Sequence, residues 1–247
     1  MGKAFFARRV FRSISQDIYE NLALENYLFE NLKEDEELLF LWNNSDAVVI
    51  GRFQDPEIEC NITALRQDCI PLARRQSGGG TVWHDRGNLC FTFMSPKSQF
   101  NKNKNLYIIQ EALWRVRIPV EINERHDILL MGKKISGSAF REKADRAFHH
   151  GTLLVSSQLD KLSYYLKPEK EKKESRHIRS VSSPVIRIID IEPAISIKDI
   201  ENILASIFST EPVETISPEQ VRTKALFSDY LEQMRSRAWI YGPGSSL

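Results

Sequence analysis

Residues 74–93 contain the densest group of side chains suited to binding or catalysis in this sequence. At their centre, Gly78, Gly79 and Gly80 lack a Cβ atom, so the backbone can adopt positive φ and a bound group can approach its N–H donors. The flanking side chains can supply fixed charge and directional hydrogen bonds: Arg74, Arg75, Ser77, His84 and Asn88. This composition favours an anion-binding loop, whereas three glycines alone more often form a flexible turn.

The spacing of this stretch matches neither general phosphate-binding signature. A P-loop requires Gly-x-x-x-x-Gly-Lys-Ser/Thr, and the dinucleotide fingerprint requires Gly-x-Gly-x-x-Gly between a strand and a helix. Neither spacing occurs around the three glycines. A common nucleotide-binding loop of either kind is therefore not expected there.

Three ordered blocks instead resemble the lipoate protein ligase and lipoyltransferase family. Residues 74–85 are similar to its signature loop, residues 132–139 look like its lysine strand, and residues 148–154 look like the strand that pairs with it. The resemblance extends from about residue 11 to residue 241. It implies the catalytic fold shared by lipoate and biotin protein ligases, an α+β fold with a mixed, mainly antiparallel sheet and packed helices.

The composition is that of an ordinary globular protein. The chain has 247 residues, 42% of them hydrophobic, and 34 basic side chains nearly balance 33 acidic ones. We therefore expect neither nucleic acid nor a membrane as a partner, and no apolar run reaches the roughly 20 residues needed to span a bilayer. Cys60, Cys69 and Cys90 are odd in number and lack metal-ligand spacing, which favours a reducing, cytoplasmic location.

Apolar periodicity predicts strands and helices that alternate without regular βαβ order, which indicates an α+β domain. The predicted helices are residues 13–32, with Ser13 and Gln16 as a capping box, 105–115, 157–166, 196–209 and 218–237. The predicted strands are residues 38–42, 47–51, 89–93, 120–122, 127–130 and 134–139. Residues 52–61 are expected to form a loop, which in the resembled family borders the acyl pocket.

Joining a carboxylic acid to an amine requires activation, because a carboxylate repels the nucleophile and has a poor leaving group. A lysine beside the acyl adenylate would neutralise the phosphate and stabilise the oxyanion formed during amine attack. The resemblance makes Lys134 this catalytic residue. Lys133 should face solvent, because successive side chains on a strand alternate between faces.

The resemblance also implies a set of contacts to lipoyl-AMP or ATP. These residues are Arg75, Ser77, Gly78, Gly79, Gly80, His84, Asn88, Ser136, Ala139, Arg141, His150, Thr152, Val181 and Ser182. Val181 and Ser182 belong to residues 179–185, which resemble the adenylate-binding loop. Asp127 matches the magnesium-linked aspartate, although it could instead cap a strand, and His126 precedes it where many relatives have asparagine.

Histidines and cysteines allow further interpretations. His84, His149 and His150 invite a general-base role, but a histidine in a strand is more often structural. A thioester mechanism would need a thiolate near the acyl carbonyl, and the segment around His149 and His150 offers no cysteine. The cysteines are therefore expected to be packing residues.

We expect an enzyme that uses ATP and Mg²⁺ to attach lipoate to a lysine of lipoyl domains, through lipoyl-AMP. The expected acceptors are 2-oxoacid dehydrogenase E2 subunits and the glycine cleavage H protein. One alternative is a lipoyltransferase that uses preformed lipoyl-AMP or needs a separate accessory protein for activation, and another is a non-catalytic lipoate or lipoyl-AMP carrier. Residues 1–247 should form one catalytic domain without the family's C-terminal accessory domain, with a flexible segment at about residues 167–185.

Overall fold

The computed structural model describes residues 6–168 and 179–242. Its strands are β1 (Ala7–Ser13), β2 (Glu36–Trp42), β3 (Ala47–Ile50), β4 (Leu72–Arg74), β5 (Val82–His84), β6 (Asn88–Pro96), β7 (Glu121–Ile122), β8 (Ile128–Leu130), β9 (Lys133–Ser136), β10 (Ser138–Glu142), β11 (Arg146–Leu154) and β12 (Glu214–Ile216). Its α-helices are α1 (Ile18–Glu30), α2 (Pro56–Glu59), α3 (Ile62–Gln67), α4 (Lys102–Arg115), α5 (Leu159–Tyr165), α6 (Ile197–Phe208), α7 (Pro218–Val221), α8 (Ala225–Arg235) and α9 (Arg237–Tyr241).

The largest sheet has six strands in the order β10-β11-β6-β2-β1-β12. The first three pairings are antiparallel, and β1 pairs in parallel with both β2 and β12. Two three-stranded sheets, β4-β3-β5 and β7-β8-β9, accompany it. The expected mixed, mainly antiparallel α+β fold is confirmed.

Alternate residues of the central strand β2 face two hydrophobic cores on opposite sides of the large sheet. Leu39 and Leu41 belong to the core that includes residues of α4 and α6. Phe40 and Trp42 belong to the core that includes residues of α1 and α8. Every residue of β2 and of β6 is buried, as expected for central strands covered on both faces.

The predicted start of the first helix is wrong. The helix begins at Ile18, and the side chain of Asp17 caps it by accepting hydrogen bonds from the N–H groups of Tyr19 and Glu20. Ser13 instead ends β1, where it pairs with Ile216 of β12. Long-range sheet pairing therefore outweighs the local capping-box pattern.

Two other predicted elements are divided in the structure, and a predicted loop contains a short helix. Residues 134–139 change sheets at Gly137, so that β9 belongs to a small sheet and β10 forms the edge of the large one. The predicted helix 218–237 is interrupted after Val221 and again at Ser236. Residues 52–61 contain the one-turn helix α2, and the predicted flexible segment lies partly outside the described residues.

Phe227 tests whether α8 is part of the core. Its side chain is fully buried in the core that also contains residues of α1 and of the central strand β2. We expect Phe227→Ala to lower the free energy of unfolding by about 3 kcal/mol, because the truncation loses apolar contacts and leaves a cavity. Tyr107→Ala on α4 is the control, since Tyr107 is 60% exposed and should change stability by no more than about 0.5 kcal/mol. Chemical denaturation measures both, and equal small effects would contradict this packing.

Candidate active site

A cavity of about 230 Å³ lies between the glycine loop, where Gly79 and Gly80 line it, and the strands β9, β10 and β11. Trp42 and Cys90 line its deep end, where they are 3% and 1% exposed. Val181 lines its open end and is 63% exposed. The cavity therefore extends from buried residues, several of them apolar, to the solvent.

The guanidinium of Arg75 shapes the glycine loop from beneath. Its Nη2 donates to the carbonyls of Gly78 and Gly80, each at 2.7 Å, and its Nη1 donates to the carbonyl of Val49 at 3.2 Å. Because the C=O and N–H of a trans peptide point in opposite directions, the Gly79 N–H points away from Arg75. The loop thus presents a backbone donor on the side opposite the guanidinium.

Burial lowers the pKa of Arg75 to about 10, and the nearby carboxylate of Glu25 opposes this shift. The side chain remains a cation near neutral pH. Its positive charge lies under the loop, and four of its hydrogen bonds go to loop or strand carbonyls. Arg75 therefore acts mainly by holding the loop.

Arg74 does not point toward the cavity, contrary to the idea that it supplies charge to an anion. Its guanidinium donates to the carbonyls of Gly51 at 3.1 Å and Gln54 at 2.7 Å. It also donates to the carbonyl of Ile240 at 2.6 Å. Arg74 therefore ties α9 to the loop that follows β3.

A buried chain of hydrogen bonds supports Arg75. Ser77 Oγ accepts from Arg75 Nε at 3.0 Å and lies 2.6 Å from His150 Nε2. His150 Nδ1 lies 2.8 Å from Glu25 Oε1, which also accepts from Thr92 Oγ1 at 2.6 Å. Burial alone would raise the pKa of Glu25, but His150 and Thr92 outweigh it and leave that pKa below its usual value.

Lys134 lines the cavity from β9, and its Nζ forms an ion pair with Asp127 Oδ1 at 2.7 Å. Asn123 holds Asp127 twice, because its Nδ2 donates to Asp127 Oδ2 at 3.4 Å and its Oδ1 accepts from the Asp127 N–H at 2.9 Å. A Cβ atom on Gly137 would lie 2.8 Å from Lys134 Nζ, so the glycine leaves room for the ammonium. Lys133 is exposed, as expected for the opposite face of the strand.

Residues 179–185 cross from the glycine loop to β9. Ser180 Oγ accepts from the Thr81 N–H at 2.8 Å and from Gln54 Nε2 at 3.0 Å, and it donates to Glu59. At the other end, the N–H of Lys134 donates to the carbonyl of Pro184 at 2.8 Å. Val181 is thereby held at the mouth of the cavity.

The two histidines His84 and His149 are unsuited to general-base catalysis near neutral pH. Burial, assisted by other cationic groups, lowers the pKa of each to about 3. His84 lines the cavity, whereas His149 faces the opposite side of β11, where its ring lies 4.7 Å from that of Phe140. The base hypothesis is therefore not supported for either residue.

The comparisons with known proteins agree with this geometry. Residues 17–209 match the family described as the lipoyl protein ligase A/B catalytic domain. The lipoate-protein ligase A of Psychrobacter cryohalolentis is 38% identical over 244 residues, which cover 95% of this chain and 72% of that protein. This chain belongs to the lipoyl protein ligase A/B family. It is therefore a ligase.

Solved structures show the same fold. The lipoate complex of LipL1 from P. falciparum has a TM-score of 0.85 and 30% identity, covering 98% of this chain and 76% of that one. A lipoate-protein ligase A bound with ATP has a TM-score of 0.81 over 96% of this chain and 99% of that one. Its identity is only 22%, so this second likeness concerns the fold alone.

The structure brings most of the sequence-predicted site residues of this ligase to one cavity. Those that line it are Arg75, Gly79, Gly80, His84, Asp127, Lys134, Ala139, His150, Thr152 and Val181. Those that do not line it are Ser77, Gly78, Asn88, Ser136, Arg141 and Ser182.

Physical reasons account for several of these departures. Ser77 is 1% exposed and is linked to the cavity through its hydrogen bonds with Arg75 and His150, which line it. Asn88 and Ser136 are likewise buried in strands, at 1% and 2% exposure. Arg141 donates to Asn26 at 2.6 Å and therefore braces α1.

Sequence reasoning missed several residues of the site. The missed lining residues that matter most are Leu22, Trp42, Thr81, Cys90, Arg125 and Ser180. Glu25 was also missed, although a signal existed, because it lies three residues after Leu22 on the buried face of α1. A carboxylate at such a position requires a buried partner, which is His150.

Three further observations concern metal binding and membrane spans among the described residues. Within residues 6–168 and 179–242, no group of three or more histidine, cysteine or acidic side chains could hold a metal ion. Asp127 is the one carboxylate among the described lining residues. In the same ranges, no helix has both the length and the apolar character to cross a membrane.

Gly51 tests the fixed position of the glycine loop. A Cβ atom there would lie 2.2 Å from the carbonyl oxygen of Gly79. Gly51→Ala should lower the free energy of unfolding by about 1–3 kcal/mol, because backbone cannot yield as a side chain does. Gly78→Ala is the matched control, since its nearest contact would be Phe53 Cδ2 at 3.9 Å. Thermal unfolding measures the stability of both variants. Equal losses of stability would mean that the glycine loop is not held in a fixed position.

His149 should make stability depend on pH. Its folded-state pKa of about 3 lies below the ordinary value of 6.5, so the unfolded chain binds an extra proton between these limits. Stability is therefore full above pH 6.5 and falls as the pH decreases toward 3. His149→Leu should reduce this slope by about 1.4 kcal/mol per pH unit, the value for one proton. Urea denaturation from pH 7 to pH 4 measures the slope, and an unchanged slope would show that His149 is protonated when folded.

Proposed function

We propose that this ligase attaches lipoate to a specific lysine of lipoyl domains through a lipoyl-AMP intermediate. The acceptors are E2 subunits of 2-oxoacid dehydrogenase complexes and the glycine cleavage H protein. The observation that carries the proposal is the ammonium of Lys134, which lies in one cavity with a glycine loop and an apolar deep end. A carboxylic acid with an apolar tail fits this distribution of polarity.

The acyl chain is assigned to the deep end and the nucleotide to the mouth. The deep end is lined by Leu22, Trp42, Val49 and Val82, which are suited to an apolar chain. The mouth carries Arg125 and Lys134, which offer cations to phosphate oxygens. The reacting carboxylate would then lie between them, beside the Gly79 N–H.

The reaction proceeds in two steps. In the first, a carboxylate oxygen of lipoate attacks the α-phosphorus of ATP and pyrophosphate leaves. In the second, the acceptor amine attacks the acyl carbon, the C–O bond to AMP breaks, and the amine loses a proton as the amide forms. Lys134 stabilises negative charge on the phosphate in the first step and on the carbonyl oxygen in the second.

Asp127 has suitable donor chemistry for the magnesium ion that accompanies ATP. Mg²⁺ prefers one or two carboxylates together with phosphate oxygens, and Asp127 supplies one hard oxygen ligand at the cavity wall. Mg²⁺ would contribute neutralisation of phosphate charge when bound. In its absence, Asp127 holds Lys134 within the cavity through their ion pair.

Lys134 and its neighbour provide a matched test of this proposal. Lys134→Ala should lower the rate of acceptor lipoylation by at least about 100-fold, because it removes the charge that stabilises both steps. Lys133→Ala should retain the rate within about twofold, since exposed residues remote from the chemistry have small effects. Mass spectrometry of an apo lipoyl domain after incubation with lipoate, ATP and Mg²⁺ measures the product.

Two outcomes would revise the assignment. Equal loss in both variants would contradict the placement of Lys134 toward the chemistry and Lys133 toward solvent. Transfer from synthetic lipoyl-AMP without any activity from lipoate and ATP would replace the ligase proposal with a lipoyltransferase that depends on a separate activating protein.

A further inference from the structure

The deep end of the cavity contains two polar groups that the proposed reaction does not use. His84 and Cys90 line it together with apolar residues, and they are 4% and 1% exposed. The Cys90 sulfur lies 3.6 Å from Nδ1 and 3.9 Å from Nε2 of His84. Trp42 packs edge-on against the imidazole with the ring centroids 5.7 Å apart, which limits rotation of that ring.

A chain of side-chain amides assigns the proton on His84. Asn21 Nδ2 donates to the carbonyls of Ser15 and Asn43, each at 3.0 Å, which identifies it as the amide nitrogen. Its two hydrogens are shared among these carbonyls and Asn44 Oδ1, which lies 2.8 Å away, so the other end of the Asn44 amide is its nitrogen. Asn44 Nδ2 then donates to His84 Nδ1 at 2.9 Å. The imidazole proton is therefore on Nε2.

The Nε2–H of His84 is an uncharged hydrogen-bond donor among apolar lining residues. Its hydrogen-bonding contact among the described residues is the Cys90 sulfur, at a long 3.9 Å. Burial lowers the pKa of His84 to about 3, which keeps the ring uncharged. Burial also raises the pKa of Cys90 well above its usual value, so its thiol stays protonated and does not attack a disulfide.

We infer that His84 Nε2–H and the Cys90 thiol recognise the sulfur atoms of a dithiolane ring and thereby favour lipoate over an unbranched fatty acid such as octanoate. The inference rests on the proposed function, because it assigns the acyl tail to the deep end. Sulfur is a weak acceptor that matches these weak or long donors. An alkyl terminus would leave these two groups with only their long contact to each other, which costs binding energy.

Direct binding of the free acids tests the inference without catalysis. Isothermal titration calorimetry gives the Kd of lipoate and of octanoate for the full chain and for His84→Phe and Cys90→Ala. Each variant should weaken lipoate binding about threefold, and the double variant about tenfold, in line with weak hydrogen bonds. The Kd of octanoate should not rise, because its terminus makes no such bond and each variant removes a polar group that an alkyl terminus leaves poorly satisfied.

Val82→Ala is the matched control, since it removes an apolar wall residue from the same end of the cavity. It should raise the Kd of both acids by the same factor and leave the ratio of the two Kd values unchanged. ¹⁵N NMR of the histidine rings adds an independent readout. His84 should show the Nε2–H tautomer, and its Nε2 signal should shift with lipoate but not with octanoate.

The outcomes separate the inference from the proposed function. If neither acid binds to the unaltered chain, the assignment of the cavity to the acyl substrate fails. If lipoate binds but the two variants change the Kd of both acids by the same factor, sulfur recognition by this pair is overturned. It is also overturned if the neutral His84 ring carries its proton on Nδ1. A covalent adduct of lipoate with Cys90 in the mass spectrum would also overturn it.

Discussion

Arg75 is a buried cation whose hydrogen bonds go to backbone carbonyls and a hydroxyl, with no carboxylate in direct contact among the residues described here. An arginine in such surroundings is costly unless its donors are satisfied. The glycine loop satisfies them by turning carbonyls inward, and Gly79 reaches the necessary backbone conformation at a φ of 89°. A Cβ on Gly79 would also lie 2.9 Å from Arg75 Nη2. The relay through Ser77 and His150 ends at Glu25, which supplies the compensating negative charge.

Besides the glycine loop, the proposed reaction requires a lysine on the opposite side of the cavity. The chain changes sheets at Gly137, so that β9 with Lys134 belongs to a small sheet beside the cavity while β10 forms an edge of the large sheet. Asp127 holds the ammonium at 2.7 Å, in a position where phosphate oxygens or Mg²⁺ would compete for the same partners. The loop and the lysine thus belong to different parts of the fold, and the hydrogen bond that the Thr81 N–H donates to Ser180 Oγ helps to keep them together.

The sequence predicts much of this arrangement, because local patterns specify local structure. The strand alternation that separates Lys133 from Lys134 is an example, and so is the glycine run. The roles of Arg74 and Arg75 were not predictable, because a cation beside a glycine loop can face a ligand or the backbone beneath it. Glu25 was missed because its partner, His150, is distant along the chain and becomes a neighbour only when α1 packs on the sheet. The divided strand at Gly137 likewise depends on which sheet each half can join.

A crystal structure of the chain with a non-hydrolysable lipoyl-adenylate analogue tests the central claim most directly. The account predicts that the dithiolane lies between Trp42 and Cys90, that the carbonyl group lies beside the Gly79 N–H, and that Lys134 Nζ contacts the phosphate or its replacement within about 3 Å. Arg75 should keep its bonds to the loop carbonyls. An acyl chain bound elsewhere, or Lys134 pointing away from the bound analogue, would contradict the account.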